Sequence, residues 1–209
     1  MQYIALYKPY GVQTTFTDSE GRTALRDVAP DLPPDVYAAG RLDADSEGLL
    51  LLTDDGPLAH RLTSPEHGHS KAYLVQVEGI PDAAALAELR GGIVIKGERT
   101  RRAEAELLAY EPELPPRAKP VTPHGPTAWI RLVLREGRKR QIRHMTAAAG
   151  YPTLRLVRVA IGPVQIGNLQ PGEWRALTRA EIEALQALWP AQAPRPRRLN
   201  WQGELRKRS

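Results

Sequence analysis

Acidic residues and one arginine crowd the segment that leads into a run of four leucines. Arg41, Asp43, Asp45 and Glu47 precede Leu49–Leu52, and a Thr-Asp-Asp-Gly turn follows the leucines. The leucine run predicts a buried strand, so the acids before it lie on a loop that the core holds in place. A carboxylate fixed beside an arginine stays ionised and can act as a nucleophile, a base or a ligand.

Asp43 is the first candidate for this chemistry, with Asp45 and Glu47 as alternates. Two acids this near in sequence could be the acid and base of a glycosidase, which keeps that class of enzyme open. A purely structural role is also open, because a loop carboxylate often hydrogen-bonds its own backbone. Asp54 and Asp55 are better explained as turn and helix-cap residues.

A second candidate pair lies on the strand predicted at 71–78. Side chains alternate between the two faces of a strand, so Lys71 and Tyr73 share a face. On an exposed face, the tyrosine ring can stack on a base while the lysine ammonium meets a phosphate. The alternative is that Tyr73 is an ordinary strand aromatic.

A third candidate is the basic run within 136–145, on a helix predicted over 138–149. Lys139 and Arg143 are four residues apart and share a side of that helix. Arg140 and Arg143 border its buried stripe, so one guanidinium could reach inward to a carboxylate. A solvated basic face is the alternative, but like charges this dense destabilise a helix unless an anion relieves them. The run therefore favours an anionic partner.

The composition narrows the chemistry further. The chain has no cysteine, which excludes disulfides, thiolate catalysis and cysteine-based zinc sites. Its five histidines show no pairing typical of a metal site on a helix, and His67-Gly68-His69 is predicted to be an exposed loop. No phosphate-loop or dinucleotide motif is present, so we expect neither a metal nor a cofactor.

Positive charge is concentrated in the second half of a chain whose net charge is +5. From Arg131 to Arg158 there are eight Lys and Arg residues and a single acid, Glu136. The segment from Pro190 onward adds six more against one acid. Such asymmetry is typical of a polyanion partner, most simply nucleic acid. For the terminal segment, a merely disordered basic tail is an equal alternative.

Strands and helices must hold these groups. Besides the leucine strand, the pattern predicts strands at 3–7, 71–78, 103–110, 127–134, 154–161 and 164–166, and helices near 25–28, 57–62, 82–90, 138–149 and 178–189. Because they mix without regular alternation, we expect an α+β fold with a mixed, largely antiparallel central sheet flanked by helices.

The predicted organisation is one domain over 1–189, in which two lobes could share the sheet, and a basic Pro/Arg-rich tail over 190–209. No stretch is long and apolar enough to cross a membrane, and the first residues lack a signal-peptide pattern. A soluble cytoplasmic protein is expected, with a monomer as the default state.

The three candidate segments together resemble the rRNA pseudouridine synthases of the RsuA family. The segment Gly40–Gly56 resembles the family signature Gly-Arg-Leu-Asp-x-x-Ser-Glu-Gly followed by four leucines, and Lys71-x-Tyr73-x-Val75 resembles its second motif. The segments Glu136–Met145, Leu154–Arg158 and Pro171–Arg175 resemble later motifs, in the expected order. The resemblance implies the pseudouridine synthase catalytic fold.

Many members of that family begin with a small RNA-binding domain similar to ribosomal protein S4, for which this chain is expected to have no room. That feature, with the segment Phe16–Arg22, is similar to the large-subunit pseudouridine synthase E branch. One departure is His144, where arginine is common.

The resemblance implies that the chain converts a uridine of ribosomal RNA, most simply 23S large-subunit rRNA, to pseudouridine without a cofactor. It implies that Asp43 is the essential carboxylate, that Arg143 pairs with it, and that Tyr73 stacks on the uracil near its C5 proton. Leu154 would form an apolar pocket wall. Arg41 would fill the space of the flipped base, and further cations would contact the RNA, namely Lys71, Arg138, Lys139, Arg140 and Arg155.

Two other functions remain open at the level of sequence. The same chemistry could act on small-subunit rRNA or tRNA. A non-catalytic RNA-binding or ribosome-assembly factor could use the same basic surface, although a pure binder would need none of the three residues Asp43, Tyr73 and Arg143.

Overall fold

The computed structural model describes residues 1–189, so the predicted tail at 190–209 lies outside the described residues. The strands are β1 (Tyr3–Lys8), β2 (Tyr37–Ala38), β3 (Glu47–Thr53), β4 (Lys71–Glu78), β5 (Val94–Ile95), β6 (Glu98–Arg99), β7 (Glu104–Leu107), β8 (Thr127–Leu134), β9 (Thr153–Ile161), β10 (Val164–Gln165) and β11 (Trp174–Ala176). The helices are α1 (Leu25–Val28), α2 (Gly56–Thr63), α3 (Ala83–Gly91), α4 (Gln141–Ala148) and α5 (Arg179–Ala187), with a 3₁₀ turn at Pro65–His67.

The main sheet of the described residues has the strand order β11-β1-β3-β9-β4-β8-β7, with β2 beside β3 and β10 beside β9, while β5 and β6 form a separate two-stranded sheet. Within this sheet β3 and β9 are parallel, and the other pairs are antiparallel. The α+β fold with a mixed, largely antiparallel sheet is therefore confirmed.

The leucine strand β3 is buried at every position because both faces of the sheet are covered there. Leu49 and Leu51 join a cluster that includes residues of α2 and α5, while Leu50 and Leu52 pack on the opposite side with Leu25 of α1. This double burial holds the start of β3, and with it the acidic loop that precedes the strand, in a fixed place.

The other half of the sheet has its own core. Alternate residues of β4 and β8 pack against α3 and α4, and Ile142 and Met145 of α4 belong to this cluster with Tyr73. The packing of α4 brings its amino end toward Tyr73 and toward the loop before β3.

The parallel strands β3 and β9 approach each other unusually closely where Gly48 pairs with Arg158. Gly48 has φ +103° and is paired with Arg158, and a Cβ at Gly48 would collide with the Arg158 backbone. On the other side of β9 the register shifts, because Ala72 pairs with Ala160 while Tyr73 pairs with Arg158. This β-bulge places Arg158 directly beside Tyr73, as bulges commonly re-aim a side chain near a site.

The predicted start of the basic helix is wrong. Helix α4 begins at Gln141 rather than at 138, and Arg140 before it has a left-handed backbone with φ 55°. The Gln141 side chain accepts a hydrogen bond from the Arg138 amide at 3.0 Å and donates one to Glu136 at 2.6 Å, which stabilises a loop instead. Lys139 therefore does not share a helix face with Arg143.

Candidate active site

The three candidate segments meet at one cavity of about 540 Å³, a volume typical of ligand sites. Its cationic lining residues are Arg41, Lys71, Arg135, Arg138, Lys139, Arg140 and Arg158, and its acidic ones are Asp43 and Glu136. Glu136 is occupied, because it contacts Arg138 at 3.4 Å and accepts from Gln141 and from the Arg101 amide. The cavity therefore suits a polyanionic ligand.

The loop that carries Asp43 is held by a cage of hydrogen bonds to its own carbonyl oxygens. Arginine side chains bond the two ends of the loop: Arg158 Nη1 donates to the Arg41 carbonyl at 3.4 Å, and Arg143 Nη2 donates to the Asp45 carbonyl at 2.7 Å. The three carbonyls between them also accept hydrogen bonds: Leu42 from Thr14 Oγ1 at 2.6 Å, Asp43 from the Ser46 amide at 3.0 Å and Ala44 from the Gly11 amide at 2.7 Å. The buried Lys8 adds a bond from its Nζ to Ala44 at 3.5 Å. A reactive group on this loop is thus preorganised.

The expected ion pair between Asp43 and Arg143 is wrong. Within residues 1–189 no ion pair includes Asp43, which is partly buried and lines the cavity. Arg143 instead lies with its Nε 3.2 Å from Oδ2 of Asp45, and Arg140 donates two hydrogen bonds to Asp45 at 3.0 and 2.9 Å. The turn closed by the Ser46 amide on the Asp43 carbonyl directs Asp45 toward α4, and Asp45 does not line the cavity.

The charges of this cluster are coupled. Burial acts to raise the pKa of Asp45, but the hydrogen bonds from Arg140 and the charge of Arg143 hold that pKa below its ordinary value. The hydrogen bond to Asp45 raises the pKa of Arg140. Burial lowers the pKa of Arg143, against the opposing effect of Asp45. The Asp45 carboxylate is therefore ionised at neutral pH.

Tyr73 lies in the wall of the cavity and is 9% exposed, so it does not stand on an exposed strand face. The apolar lining that clusters with Tyr73 includes Leu134, Ile142 and Leu156. Leu154, the expected wall residue, is not part of the lining; it falls at a second register shift of β9, where Gln76 pairs with Arg155 and Val77 with Thr153. Leu156 takes the place that was expected for Leu154.

The predicted RNA contacts fall into different surroundings. Arg41 and Lys139 line the cavity and are exposed, without an ion pair in the described residues. Lys71 also lines it, and burial together with the charge of Arg158 lowers the pKa of Lys71 to about 8. Arg138 lines it while contacting Glu98 at 3.2 Å. These side chains are candidates for phosphate contacts.

Arg155 is not brought to the cavity. It is buried and donates to both carboxylate oxygens of Glu47 at 2.9 Å, and to the Pro115 carbonyl at 2.7 Å. Its partner position on β4 is Gln76, whose side chain points to the face opposite Tyr73. Residue alternation along a strand predicts which side chains share a face, but only the pairing register shows that Arg155 faces away from Tyr73.

Arg158 and His69 are among the cavity residues that sequence reasoning missed. Arg158 is buried and donates from Nε to the Leu49 carbonyl at 2.7 Å, while its NH2 has no partner within residues 1–189. His69 is 6% exposed rather than an exposed loop residue, and burial lowers its pKa to about 4, so it is neutral at pH 7. It packs edge-on against Trp189 at 5.9 Å. Arg158 stood in a recognised motif, but only the bulge aims it at the cavity.

Residues 1–189 contain no group of three or more His, Asp or Glu side chains placed to hold a metal ion. None of the helices in that range combines the length and apolar character needed to span a membrane.

Comparison with known proteins gives a consistent result. A family model described as RNA pseudouridylate synthase matches residues 2–148. The chain is 53% identical over 174 residues to a ribosomal large subunit pseudouridine synthase E of Xanthomonas campestris pv. campestris, covering 82% of this chain and 93% of the relative. A protein of the same name from Vibrio vulnificus is 47% identical over 177 residues, covering 84% and 74%. A crystal structure of a pseudouridylate synthase has a TM-score of 0.74 at 34% identity, covering 88% of this chain and 73% of that one.

Proposed function

The chain belongs to the RNA pseudouridylate synthase family, and we propose that it isomerises one specific uridine of large-subunit ribosomal RNA. Relatives that are 53% and 47% identical carry the name ribosomal large subunit pseudouridine synthase E, which supports this substrate. Membership of this family excludes the glycosidase activity that the two neighbouring acids had left open in the sequence. We propose further that the chain acts in the cytoplasm, as a monomer and without a cofactor.

The site assignment rests on one observation, that Asp43 lines the cavity without an ion pair in the described residues. It is the one acid of the cavity lining that has no ion pair within residues 1–189, and it shares that lining with Tyr73. Cations surround the cavity without capturing this carboxylate. Asp43 therefore faces a lining of cations with its lone pairs free for reaction.

In the proposed reaction Asp43 acts as the nucleophile at the ribose, and the N1–C1′ bond of the uridine breaks. The uracil rotates within the cavity and a C5–C1′ bond forms as Asp43 is released. C5 loses a proton, N1 gains one, and no electrons are exchanged with another molecule. Tyr73 stacks on the uracil and lies near the C5 proton, while Ile142 and Leu156 form the apolar wall.

The target base must leave its stack to reach this cavity. Arg41 is exposed at the cavity and its planar guanidinium can stack in the vacated space. Lys71, Arg138 and Lys139 line the same opening and would hold phosphates. Arg140 also lines the opening, although it already forms an ion pair with Asp45.

The first test is chemical mapping of pseudouridine in unmodified large-subunit rRNA after incubation with the wild-type chain or with Asp43→Asn. We expect one modified uridine, absent with the variant, whose melting temperature and RNA affinity stay within error of wild type. Near wild-type turnover by Asp43→Asn would remove Asp43 from the mechanism. Modification only in assembly intermediates, small-subunit rRNA or tRNA would correct the substrate, and light scattering at working concentration tests the monomer.

A further inference from the structure

The net charge of the chain is carried by its terminal segment, residues 190–209. This segment holds six of the 29 Lys and Arg residues and one of the 24 Asp and Glu residues, which leaves 23 of each sign for residues 1–189. The terminal segment therefore accounts for the whole net charge of +5. The cavity cations act on an anion nearby, whereas the attraction of a polyanion over a longer distance comes from the terminal segment.

The last described residue places the start of the terminal segment beside the cavity. The ring of Trp189 packs edge-on against His67 and His69, with ring centroids 5.6 and 5.9 Å apart. Trp189 also packs against the hydrophobic cluster that contains Leu62 of α2 and Leu185 of α5. Both His69 and Leu62 line the cavity. Because residue 190 follows Trp189 directly in the chain, the terminal segment begins one side chain away from the cavity wall.

We propose that Arg195, Arg197 and Arg198 bind phosphates of the RNA strand next to the target uridine, with Trp189 as the anchor that starts the terminal segment at the cavity. This inference rests on the proposed function, which supplies the RNA. A guanidinium presents its N–H donors in a fork that matches two phosphate oxygens and stays charged at every working pH. Three arginines within four residues can thus neutralise successive phosphates.

Chain length limits which part of the RNA these arginines can reach. Arg195 comes six residues after Trp189 and Arg198 nine residues after it. At about 3.5 Å per residue, Arg195 lies within about 21 Å of the anchor and Arg198 within about 32 Å. Tethering at this distance raises the local concentration of the arginines at the strand whose base enters the cavity. The second basic group, at 206–208, can lie as far as about 60 Å away and is less confined to that strand.

RNA suits this arrangement better than an acidic protein or an anionic membrane does. The terminal segment adjoins a cavity whose exposed cations Arg41 and Lys139 have no ion pair within residues 1–189. A single RNA strand carries evenly spaced charges that can contact the cavity opening and the terminal segment at once. Both sets of cations would then release counterions on binding the same molecule.

The first test is the triple variant Arg195→Gln/Arg197→Gln/Arg198→Gln, assayed by fluorescence anisotropy with a labelled segment of large-subunit rRNA at several salt concentrations. If each arginine neutralises one phosphate, the slope of log K against log salt should fall by roughly 2–3, and affinity should fall by about 10- to 100-fold. KM should rise with kcat unchanged, because phosphates outside the reacting nucleotide contribute equally to the ground state and the transition state. A wild-type slope and KM in this variant would overturn the proposal.

The matched control is Arg22→Gln/Arg131→Gln/Arg179→Gln, which changes the net charge equally. Each of these arginines contacts an acid and lies outside the cavity lining. The control should keep the wild-type slope and KM. Equal losses in the control and in the variant of the terminal segment would mean that net charge alone sets RNA affinity, which would also overturn the proposal.

A second measurement locates the contact on the RNA. Because the chain has no cysteine, Asn200→Cys provides a single attachment site for an iron–EDTA reagent that cleaves RNA nearby. We expect cleavage clustered within a few nucleotides of the modified uridine, and its dispersal when the three arginine substitutions are added. Cleavage spread evenly along the RNA would contradict the proposal. Clustered cleavage without any pseudouridine would support the RNA contact and count against the proposed function, so the two failures are distinguishable.

Discussion

Lys71 and Asp43 line the same cavity but lie on different elements, strand β4 and the loop before β3, and their surroundings differ. Asp43 lies on a loop whose carbonyl oxygens are held by hydrogen bonds, whereas burial and the neighbouring Arg158 lower the pKa of Lys71 to about 8. At the residue scale, the cavity therefore holds the proposed nucleophile and at least one cation whose charge depends on pH near neutrality.

This difference predicts a pH dependence of RNA binding. A phosphate contact by Lys71 needs the protonated amine, so affinity should fall as pH rises from 7 to 9, through the lowered pKa. Lys71→Arg should remove that part of the decline, because a guanidinium stays charged over the whole range. Fluorescence anisotropy with a labelled rRNA segment measures it, and an identical decline in Lys71→Arg would assign the dependence to another group, such as the buried Lys8.

At the scale of elements, the site depends on the crossing of β3 and β9. The loop of Asp43 leads directly into β3, and Arg158 of β9 donates to the Arg41 carbonyl of that loop and to the Leu49 carbonyl of β3. The same crossing carries the buried pair of Glu47 and Arg155 on the opposite face of the sheet. Both contacts require a close approach of the two backbones.

Gly48 is expected to be intolerant of a side chain. Gly48→Ala would combine an unfavourable positive φ with a collision against the Arg158 backbone, so we expect a loss of about 2 kcal/mol or more in the free energy of unfolding. Urea denaturation gives the value. Gly56→Ala is the control, since Gly56 begins α2 with open space around its Cα, and it should be neutral or slightly stabilising. Equal stability of both variants would contradict this account of the crossing.

Breaking the buried Glu47–Arg155 pair should be costly. Their side chains are 2% and 10% exposed, so Arg155→Met leaves a buried carboxylate without its ion-pair partner, at a cost of about 3–5 kcal/mol. Glu47→Gln/Arg155→Met should lose less than Arg155→Met alone. Thermal and urea unfolding of Glu47→Gln, Arg155→Met and the double variant provide the test. If the double variant loses as much unfolding free energy as the two single variants together, the two side chains do not stabilise each other.

At the scale of the whole molecule, two hydrophobic clusters on one sheet place a loop from one against a helix of the other. The cavity lies where they meet, and its lining is predominantly cationic. This arrangement suits an RNA strand whose phosphates pass over the opening while one base enters it.

Salt dependence of RNA binding should report that footprint. Arg41→Ala and Lys139→Ala should each reduce the slope of log K against log salt by roughly 0.7–0.9, if each removes one phosphate contact. Arg179→Gln changes an exposed arginine that is paired with Glu183 on α5, outside the cavity lining, and should leave the slope unchanged. A reduction in the control as large as in the cavity variants would mean that the binding surface extends over α5.

Much of this protein could be read before its fold was known. The burial of Leu49–Leu52, the cap at Asp55, the β4 and β8 strands and the capping box at Thr178 follow from local periodicity and cap chemistry, which depend on near neighbours in the chain. The ordered motifs likewise indicated the family, and pointed to the region of Asp43 and Tyr73.

The partners of the charges were decided by tertiary structure alone. Asp43 is the first candidate in the sequence and Asp45 an alternate, but only the tertiary structure shows that a tight turn directs Asp43 to the cavity and Asp45 to Arg140 and Arg143. The bulge in β9 aims Arg158 at Tyr73, and the sheet register turns Arg155 away. Pairing of charges depends on angstrom-scale distances between segments about 100 residues apart, such as Asp45 and Arg143, which spacing along the chain does not encode.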